Sequence, residues 1–287
     1  MIKPNFIIIG AMKSATSTLH EQLALQPGIF MTTPKEPNFF SDDDTYELGF
    51  DWYDGLFKEA SVDDICGESS THYTKMPDYP DTLSRMKAYL PSLKLVYVIR
   101  HPIERLVSHY IHQWSQNVIK TDINTAIDSF PELINYSCYS MQLKPYIEHY
   151  GAENILISFS EAFRKSPESE LQRVANFIGY SQKVTWYDDL PEQNVSSQRL
   201  RRFRGYEFII DNPVLAKIRR GIVPQVLRNF IKGQLIMKRR PELTVESLMK
   251  LEKRFNHDLN TLSRLTGTEI NVGNYKELVK DKHISLI

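Results

Sequence analysis

Residues 6–18 combine a short apolar run with a loop that is rich in hydroxyl side chains. The run Phe6–Ile9 is mostly β-branched and leads into Gly10, and a helical pattern begins at Leu19. A strand, a short loop and a helix in this order present backbone N–H groups and a helix N-terminus to an anion. The loop Gly10–Thr18 is therefore expected to bind a phosphate group.

The spacing within this loop is not that of the ATP-binding loop. The ATP-type pattern is G-x-x-x-x-G-K-[ST], with the lysine six residues after the first glycine. Here Lys13 follows Gly10 by only three residues, and no second glycine stands before Thr18. The loop is therefore interpreted as a cradle for the 5′ anion of a different nucleotide.

A second pair of anion-binding side chains follows a later strand. The run Leu93–Ile99 is almost continuously apolar, which is typical of a strand buried on both faces of a parallel sheet. Arg100 stands at its end, and Ser108 lies two turns into the next helical pattern. A guanidinium fork and a short hydroxyl suit one phosphate. Two separated anion sites imply a ligand with phosphates at both ends, such as a 3′-phosphorylated nucleotide.

Strands and helices alternate along the chain. Helices are predicted at about 17–26, 81–90, from 102, from 167 to 178 and at 244–266. This alternation predicts a single α/β domain with a central parallel sheet flanked by helices. Such sheets bind ligands at the carboxyl ends of their strands, where Lys13 and Arg100 both stand. The binding core is predicted at about 5–205 and a helical C-terminal part at about 206–287.

Composition and charge indicate a soluble, cytoplasmic protein. The 287 residues carry 35 basic and 35 acidic side chains, so nothing global indicates nucleic acid. Cys66 and Cys138 show neither metal-ligand spacing nor a disulfide framework, which favours a reducing compartment. No signal-peptide pattern or membrane-length apolar run is present. Basic residues concentrate at 199–240, either as solvated helix faces or as a contact for an anionic ligand, a membrane surface or a partner.

Together the motifs resemble the sulfotransferases that use 3′-phosphoadenosine 5′-phosphosulfate (PAPS). The first loop resembles their 5′-phosphosulfate loop, K-x-G-T-[TS], and Arg100–Ser108 resembles their 3′-phosphate motif, R-x-P-x-x-R-x-x-S. Lys35–Phe40 and Glu68–Tyr73 resemble segments of the glycan sulfotransferase branch and its bacterial relatives. The resemblance covers about 5–205 and, more loosely, the C-terminal helix.

The resemblance implies a P-loop-like sulfotransferase fold, PAPS as co-substrate, adenosine 3′,5′-bisphosphate (PAP) as product, and no metal. It implies Glu36 as general base, with Lys13 at the leaving oxygen and Lys35 assisting. His72 is a second candidate base. The residues expected to bind the nucleotide are Lys13, Ser14, Ala15, Thr16, Ser17, Thr18, Arg100, Ser108, Ser197, Arg199 and Arg201. Two alternatives stay open: Glu36 as a loop carboxylate paired with Lys35, and His72 as a structural residue.

Two positions depart from the family pattern. Ala15 replaces the usual glycine, and close approach to the phosphosulfate then requires a negative φ at this residue. Ser69 replaces the lysine that serves the active-site cleft in the glycan branch. That change favours a small natural product, such as an alkaloid or polyketide, or a sugar over a sulfated polysaccharide. The acidic, aromatic segment Asp42–Tyr53 is either a solvated loop or suited to a cationic acceptor.

Two other functions compete with this interpretation. A nucleotide kinase or NTPase would need a lysine at ATP-loop spacing and a Mg²⁺-binding carboxylate at a strand end. Lys13 has the wrong spacing, and Arg100 stands where that carboxylate is expected. A non-catalytic nucleotide-binding or membrane-surface module would instead use the basic stretch 199–240.

Overall fold

A five-stranded parallel sheet forms the centre of the molecule. The computed structural model describes residues 2–190, 201, 237, 239–281 and 284–287. The strands are β1 Phe6–Gly10, β2 Ile29–Met31, β3 Ile65–Ser69, β4 Lys94–Ile99 and β5 Ile155–Phe159. Their order across the sheet is β2-β3-β1-β4-β5, and every neighbouring pair is parallel. The predicted α/β fold with a central parallel sheet is confirmed.

Helices follow most of the strands and cover both faces of the sheet. They are α1 Thr16–Ala24, α2 Asp43–Tyr46, α3 Phe50–Gly55, α4 Thr82–Tyr89, α5 Pro102–Ser115, α6 Ile123–Ser129, α7 Glu132–Asn135, α8 Tyr139–Tyr150, α9 Ser160–Lys165, α10 Pro167–Ile178, α11 Val245–Thr266 and α12 Tyr275–Asp281. Single 3₁₀ turns lie at Thr71–Thr74 and Ala152–Asn154. None of the helices in the described ranges is long and apolar enough to cross a bilayer. The predicted boundary near 205 stays a prediction, because 202–236 lies outside these ranges.

Alternating side chains of the strands feed two apolar cores. In β1, Ile7 and Ile9 point to one face of the sheet, and Phe6 and Ile8 point to the other. The period of two follows from strand geometry. Helices α5, α8 and α11 pack on the Ile7 face, and α1 and α10 pack on the Phe6 face. Because both faces are covered, β1 is apolar at every position before Gly10, as parallel strands are.

The connectivity creates a crevice at the carboxyl ends of β1 and β4. From β1 the chain moves through α1 to β2 and β3 on one side, whereas β4 lies on the other side of β1. Ligands of such sheets bind where the strand order reverses in this way. The backbone N–H of Ala11 donates to the carbonyl oxygen of Val98 at 2.6 Å. The loops after β1 and β4 therefore open into the same crevice.

The long helix α11 fixes the helix that supports Arg100. Its buried Asp258 accepts hydrogen bonds from the Ser140 backbone N–H at 3.0 Å and from the Ser140 hydroxyl at 2.5 Å, at the N-terminus of α8. Carboxylates at this end of a helix satisfy its free N–H groups. At the first position of α8, the Tyr139 hydroxyl donates to the carbonyl oxygen of Arg100 at 2.5 Å. Helix packing thus reaches the strand end that carries the predicted anion ligand.

Candidate active site

The loop after β1 ends in a helix start with unsatisfied backbone donors. The first N–H groups of a helix have no acceptor within that helix. In α1 these belong to Thr16, Ser17 and Thr18, and the residue before them, Ala15, has no side-chain atom that could accept from them. The positive end of the helix and its free N–H groups therefore face the crevice as an anion site.

A buried hydroxyl in this loop also lacks a partner. Ser14 is fully buried, and its Oγ makes no hydrogen bond to any residue that the structure describes. Buried polar atoms in folded proteins are nearly always satisfied. The 5′-phosphosulfate of PAPS would supply the missing acceptor, so the loop fits the nucleotide that the sequence implies.

The backbone at Ala15 corrects one expectation. The sequence requires a negative φ at this position, but Ala15 has φ 67°, in the left-handed region, and Lys13 has φ 71°. A left-handed conformation costs a residue with a Cβ about 1–2 kcal/mol, and glycine avoids this cost. The usual glycine at this position therefore has a conformational reason, and this chain keeps the loop shape with strain at Ala15.

Replacing Ala15 by glycine is expected to stabilise the fold. Relief of the left-handed strain outweighs the extra chain entropy of glycine, so the free energy of unfolding should rise by about 0.5–1 kcal/mol. Urea unfolding followed by circular dichroism measures it. The matched control is Ala24→Gly, in the last turn of the same helix, where the substitution should lower stability by about 0.5–1 kcal/mol. A loss of stability in both variants would contradict the strain at Ala15.

Arg100 joins the two predicted anion motifs. Its guanidinium Nη1 donates to the carbonyl oxygen of Lys13 at 3.4 Å, and Nη2 donates to Glu104 at 3.4 Å. The Nε atom is buried and has no partner among the described residues. A guanidinium has five donors, so Arg100 retains capacity for an anionic ligand. This contact shows that Lys13 and Arg100 lie side by side after the carboxyl ends of β1 and β4, and their common binding crevice stays a prediction.

Ser108 lies on the helical face that runs down from Arg100. It is a buried residue of α5, one turn beyond Glu104. Residues four apart stack on the same face of a helix. Glu104 also accepts from Arg240 at 2.5 Å and from Lys276 at 3.3 Å. These two cations offset its charge beside the expected 3′-phosphate position.

Only one of the three nucleotide ligands predicted in the late basic segment lies among the described residues. Ser197 and Arg199 lie outside the described residues. Arg201 lies inside them, with its guanidinium 5.2 Å from the ring centroid of Trp114 near the end of α5. This contact places Arg201 against α5, and its role at the nucleotide stays a prediction.

Glu36 lies in a loop that hydrogen bonds fix to the end of β3. Its backbone N–H donates to the carbonyl oxygen of Ser69 at 2.9 Å. The Thr71 hydroxyl donates to Glu36 Oε2 at 3.2 Å, and Lys35 Nζ forms an ion pair with Oε1. The Glu36 side chain keeps 34% of its surface exposed. The Lys35 pairing that the sequence offered as an alternative is present, yet the carboxylate still reaches solvent.

Lys75 is a cation near Glu36 that the sequence analysis missed. Burial raises the pKa of the Glu36 carboxyl, but Lys35, Lys75 and the Thr71 hydroxyl outweigh it and hold that pKa below its usual value. Lys75 is only 7% exposed, and burial lowers the pKa of its ammonium to about 8, with Glu36 as the strongest opposing charge. The turn Thr71–Thr74 positions Lys75 near Glu36. No motif in the sequence predicts this position.

Two histidines near Glu36 are neutral at ordinary pH. Burial, followed by the charge of Lys75, lowers the pKa of His72 to about 4, and its ring stacks on Tyr79 at 4.7 Å between centroids. Burial, followed by the charge of Lys35, lowers the pKa of His20 to about 4. His20 Nδ1 lies 2.9 Å from the hydroxyl of Ser69. Ser69 stands where the glycan branch has the lysine that serves its active-site cleft. In this chain, Ser69 instead bonds to His20 of α1.

The arrangement places three chemical capacities after the carboxyl ends of the neighbouring strands β3, β1 and β4. Loop N–H groups and the Ser14 hydroxyl fit a 5′ anion, and Arg100 with Ser108 fits a 3′-phosphate. Glu36 is an ionised carboxylate beside them. Within the described part of the chain, no group of three or more His, Cys, Asp or Glu side chains is arranged to hold a metal ion.

Comparison with known sequences identifies relatives over most of the chain. A family model described as the sulfotransferase domain matches residues 3–267. The heparan sulfate glucosamine 3-O-sulfotransferase 3B1 of Mus musculus is 28% identical over 191 residues, which are 63% of this chain and 47% of that protein. The bifunctional heparan sulfate N-deacetylase/N-sulfotransferase 2 of Homo sapiens is 25% identical over 213 residues, 65% of this chain and 24% of its own length. The chain spans about half the length, or less, of these curated relatives.

Comparison with solved structures agrees with the sequence match. The crystal structure of a sulfotransferase from Alicyclobacillus acidocaldarius superimposes with a TM-score of 0.66 at 22% identity. The match covers 94% of this chain and 98% of that one, and it shows a shared fold. Because the family model matches residues 3–267, this chain belongs to the PAPS-dependent sulfotransferase family.

Proposed function

We propose that this protein transfers the sulfuryl group of PAPS to a hydroxyl or amine of a small natural product, such as an alkaloid or polyketide, or of a sugar, in the cytoplasm. The observation that carries the proposal is the contact between Arg100 Nη1 and the Lys13 carbonyl oxygen, at 3.4 Å. It joins a 5′-anion loop to a strand-end arginine in one crevice. A nucleotide with anions at both its 5′ and 3′ positions suits that pair.

Each end of the nucleotide has its own set of donors. The 5′-phosphosulfate is held by the first-turn N–H groups of α1 and by the Ser14 hydroxyl, which lacks any described partner. The 3′-phosphate is held by Arg100, whose Nε is also unpartnered among the described residues, and by Ser108. Hydrogen bonds from charged donors to phosphate are about twice as strong as neutral ones. This grip positions the sulfur for attack from the side of Glu36.

The proposed reaction is an in-line displacement at sulfur. Glu36 removes the proton from the acceptor hydroxyl or amine as its oxygen or nitrogen forms a bond to sulfur. The bond from sulfur to the 5′-phosphate oxygen breaks, and its electron pair leaves with PAP. Lys13 donates to that leaving oxygen, and Lys35 offsets charge on the transferring group. As in phosphoryl transfer, positioning and charge stabilisation supply most of the rate.

The surroundings of Glu36 bear on the class of acceptor. Ser69 bonds to His20 and leaves the cleft without the lysine of the glycan branch, which supports a small acceptor over a sulfated polysaccharide. A separate pocket of about 360 Å³ is lined in part by Tyr79, whose ring stacks on His72. Its acidic lining consists of Asp42, Asp43, Asp44, Asp78 and Asp81. Among small acceptors, this charge favours one with a cationic group.

A panel of acceptors tests the function directly. The purified protein is incubated with PAPS and small hydroxyl or amine compounds, both cationic and neutral, and with free sugars. Mass spectrometry should show an acceptor that gains one sulfuryl group, together with PAP. The matched control is the same acceptor with its hydroxyl or amine methylated, which should not react. Phosphoryl transfer from ATP with Mg²⁺, without any transfer from PAPS, would instead support the kinase alternative.

The charge of Lys75 should be visible in the pH dependence of turnover. Glu36 must be ionised to act as base, so kcat/KM falls as the pH drops through its pKa in the free enzyme. Lys75 helps to hold that pKa low. Lys75→Met should therefore move the acidic limb of the pH profile to higher pH. Lys58→Met, at an exposed lysine, is the control that should leave it in place. An acidic limb that does not move in Lys75→Met would contradict this electrostatic role.

A further inference from the structure

Glu68 is a buried carboxylate that the proposed reaction does not use. It lies in β3 with no exposed surface, and its Oε1 has no partner of good geometry among the described residues. Burying a carboxylate without a paired cation is costly. Instead of a cation, three hydroxyls surround it: those of Ser70, Tyr73 and Tyr53.

One of these hydroxyls connects Glu68 to the loop that carries Glu36. The Ser70 hydroxyl donates to Glu68 Oε2 at 3.4 Å. The Ser70 hydroxyl oxygen in turn accepts the backbone N–H of Asn38 at 3.0 Å. The Ser70 hydroxyl therefore links the Glu68 carboxylate to the backbone amide of Asn38, two residues after Glu36.

A second hydroxyl reaches the same loop two residues further on. The Tyr73 hydroxyl accepts the backbone N–H of Phe40 at 3.3 Å. The same hydroxyl faces the Glu68 carboxylate and lowers its pKa. Both connections end on backbone amides of the loop Lys35–Phe40. The ion pair between Lys35 and Glu36 lies at the start of this loop.

The direction of these hydrogen bonds depends on Glu68. A hydroxyl has one donor and can accept from others. An ionised carboxylate only accepts, so it takes the single hydrogen of both Ser70 and Tyr73. Each hydroxyl oxygen is then turned so that its lone pairs accept an amide N–H of the loop. A donor in place of the carboxylate would compete with those amides for the same lone pairs.

The loop needs such support because its backbone is strained. Glu36 has φ 59° and Asn38 has φ 53°, both in the left-handed region. Such residues persist only where their surroundings hold them. We propose that Glu68 is a positioning residue for Glu36, and that its carboxylate orients the Ser70 and Tyr73 hydroxyls that hold the Lys35–Phe40 loop in its left-handed conformation. This inference rests on the proposed function for its catalytic consequence, but not for the structural link itself.

The ionisation of Glu68 gives the link a pH dependence. Burial raises the pKa of the Glu68 carboxyl to about 7, against the opposing effect of the Tyr73, Tyr53 and Ser70 hydroxyls. The titratable groups that face it are Tyr53 of α3 and Tyr73, and burial raises the pKa of both far above ordinary pH, so both stay donors. Wild-type turnover should therefore show a first, partial fall of about 10²-fold as the pH drops through about 7, above the acidic limb that Glu36 sets at lower pH. The Glu68→Gln enzyme, uncharged throughout, should lack that fall.

Amide hydrogen exchange tests the link without any acceptor. In Glu68→Gln, the amides of Asn38 and Phe40 should exchange about tenfold faster or more, since exchange reports local opening. Strand β4 should not change. Tyr73→Phe, which removes one hydroxyl and keeps the ring, should accelerate Phe40 more than Asn38, and it keeps the test valid if Glu68→Gln does not fold. The matched control is Glu170→Gln, a buried glutamate that accepts from Ser158 at 2.7 Å in a different part of the fold.

Turnover and nucleotide binding separate positioning from general stability. In Glu68→Gln, kcat should fall by about 10²-fold, the effect of misplacing a catalytic group, while the Kd for PAP measured by calorimetry stays within twofold of wild type. Unchanged exchange of Asn38 and Phe40 in both loop variants would overturn the inference, and so would an equal loss of PAP affinity and turnover. Accelerated exchange in a protein whose wild type transfers no sulfuryl group would uphold the link and reject the proposed function instead.

Discussion

Glu36→Gln is expected to lower kcat for sulfuryl transfer by about 10²–10⁴-fold, the usual contribution of a general base. Glutamine keeps the size of the side chain and the possible contact with Thr71, but it cannot take the acceptor proton. The Kd for PAP should stay close to wild type, since the residues proposed to bind the nucleotide lie in the segments that follow β1 and β4. Steady-state kinetics with PAPS and calorimetry with PAP measure the two quantities separately.

The control for this substitution is Glu47→Gln, at an exposed glutamate after α2. It removes one negative charge from the same part of the chain and should leave kcat unchanged. If Glu36→Gln retains wild-type turnover, the ion pair with Lys35 is a structural feature and another group accepts the proton. The neutral His72 would then be the next base to test.

Arg100→Ala is expected to weaken PAP binding by about 10–100-fold, because a hydrogen bond to a charged group contributes about 1.5–3 kcal/mol. The loss should be specific to the 3′-phosphate. Adenosine 5′-monophosphate lacks that group, so its affinity should change by less than threefold. Calorimetric titration of wild type and variant with both nucleotides gives the selectivity for PAP, which should collapse in the variant.

Arg85→Ala is the matched control, since Arg85 is a partly buried arginine of α4 that pairs with Asp43 at 2.5 Å. It should bind both nucleotides as the wild type does. An equal loss of affinity for PAP and for the monophosphate in Arg100→Ala would place the arginine at the 5′ end or in the scaffold. The assignment of the 3′-phosphate to Arg100 would then be wrong.

The proximity of Lys13 and Arg100 was predictable from sequence because it depends on local signals. A buried strand followed by a short loop and a helix places Lys13 at a strand end, and the run before Arg100 does the same for β4. The carboxyl ends of parallel strands share one edge, so the two residues were expected in one crevice, and the 3.4 Å contact between them agrees. Strand and helix periodicity carries this information directly.

The environment of Glu36 was less predictable because it is assembled by packing. Lys75 lies near Glu36 because it follows a 3₁₀ turn, and the sequence of that turn has no periodic signal. The charge of Lys75 lowers the pKa of Glu36, and the charge of Glu36 raises the pKa of Lys75. Close approach to the phosphosulfate was expected to require a negative φ at Ala15, the range that alanine prefers, but its φ is 67°. The geometry of the surrounding loop outweighed that local preference. From the sequence, Glu68 was recognised only as part of the segment Glu68–Tyr73. Its link to the Glu36 loop runs through hydroxyl contacts that only the folded structure creates.

One crevice of this protein is expected to bind a nucleotide with anions at its 5′ and 3′ positions. Calorimetric titration of the wild-type protein with PAP, and with ATP in the presence and absence of Mg²⁺, tests it most directly. PAP should bind about 10–100-fold more tightly than ATP under either condition, because only PAP offers Arg100 a 3′-phosphate. Tighter binding of ATP with Mg²⁺ than of PAP would contradict the account.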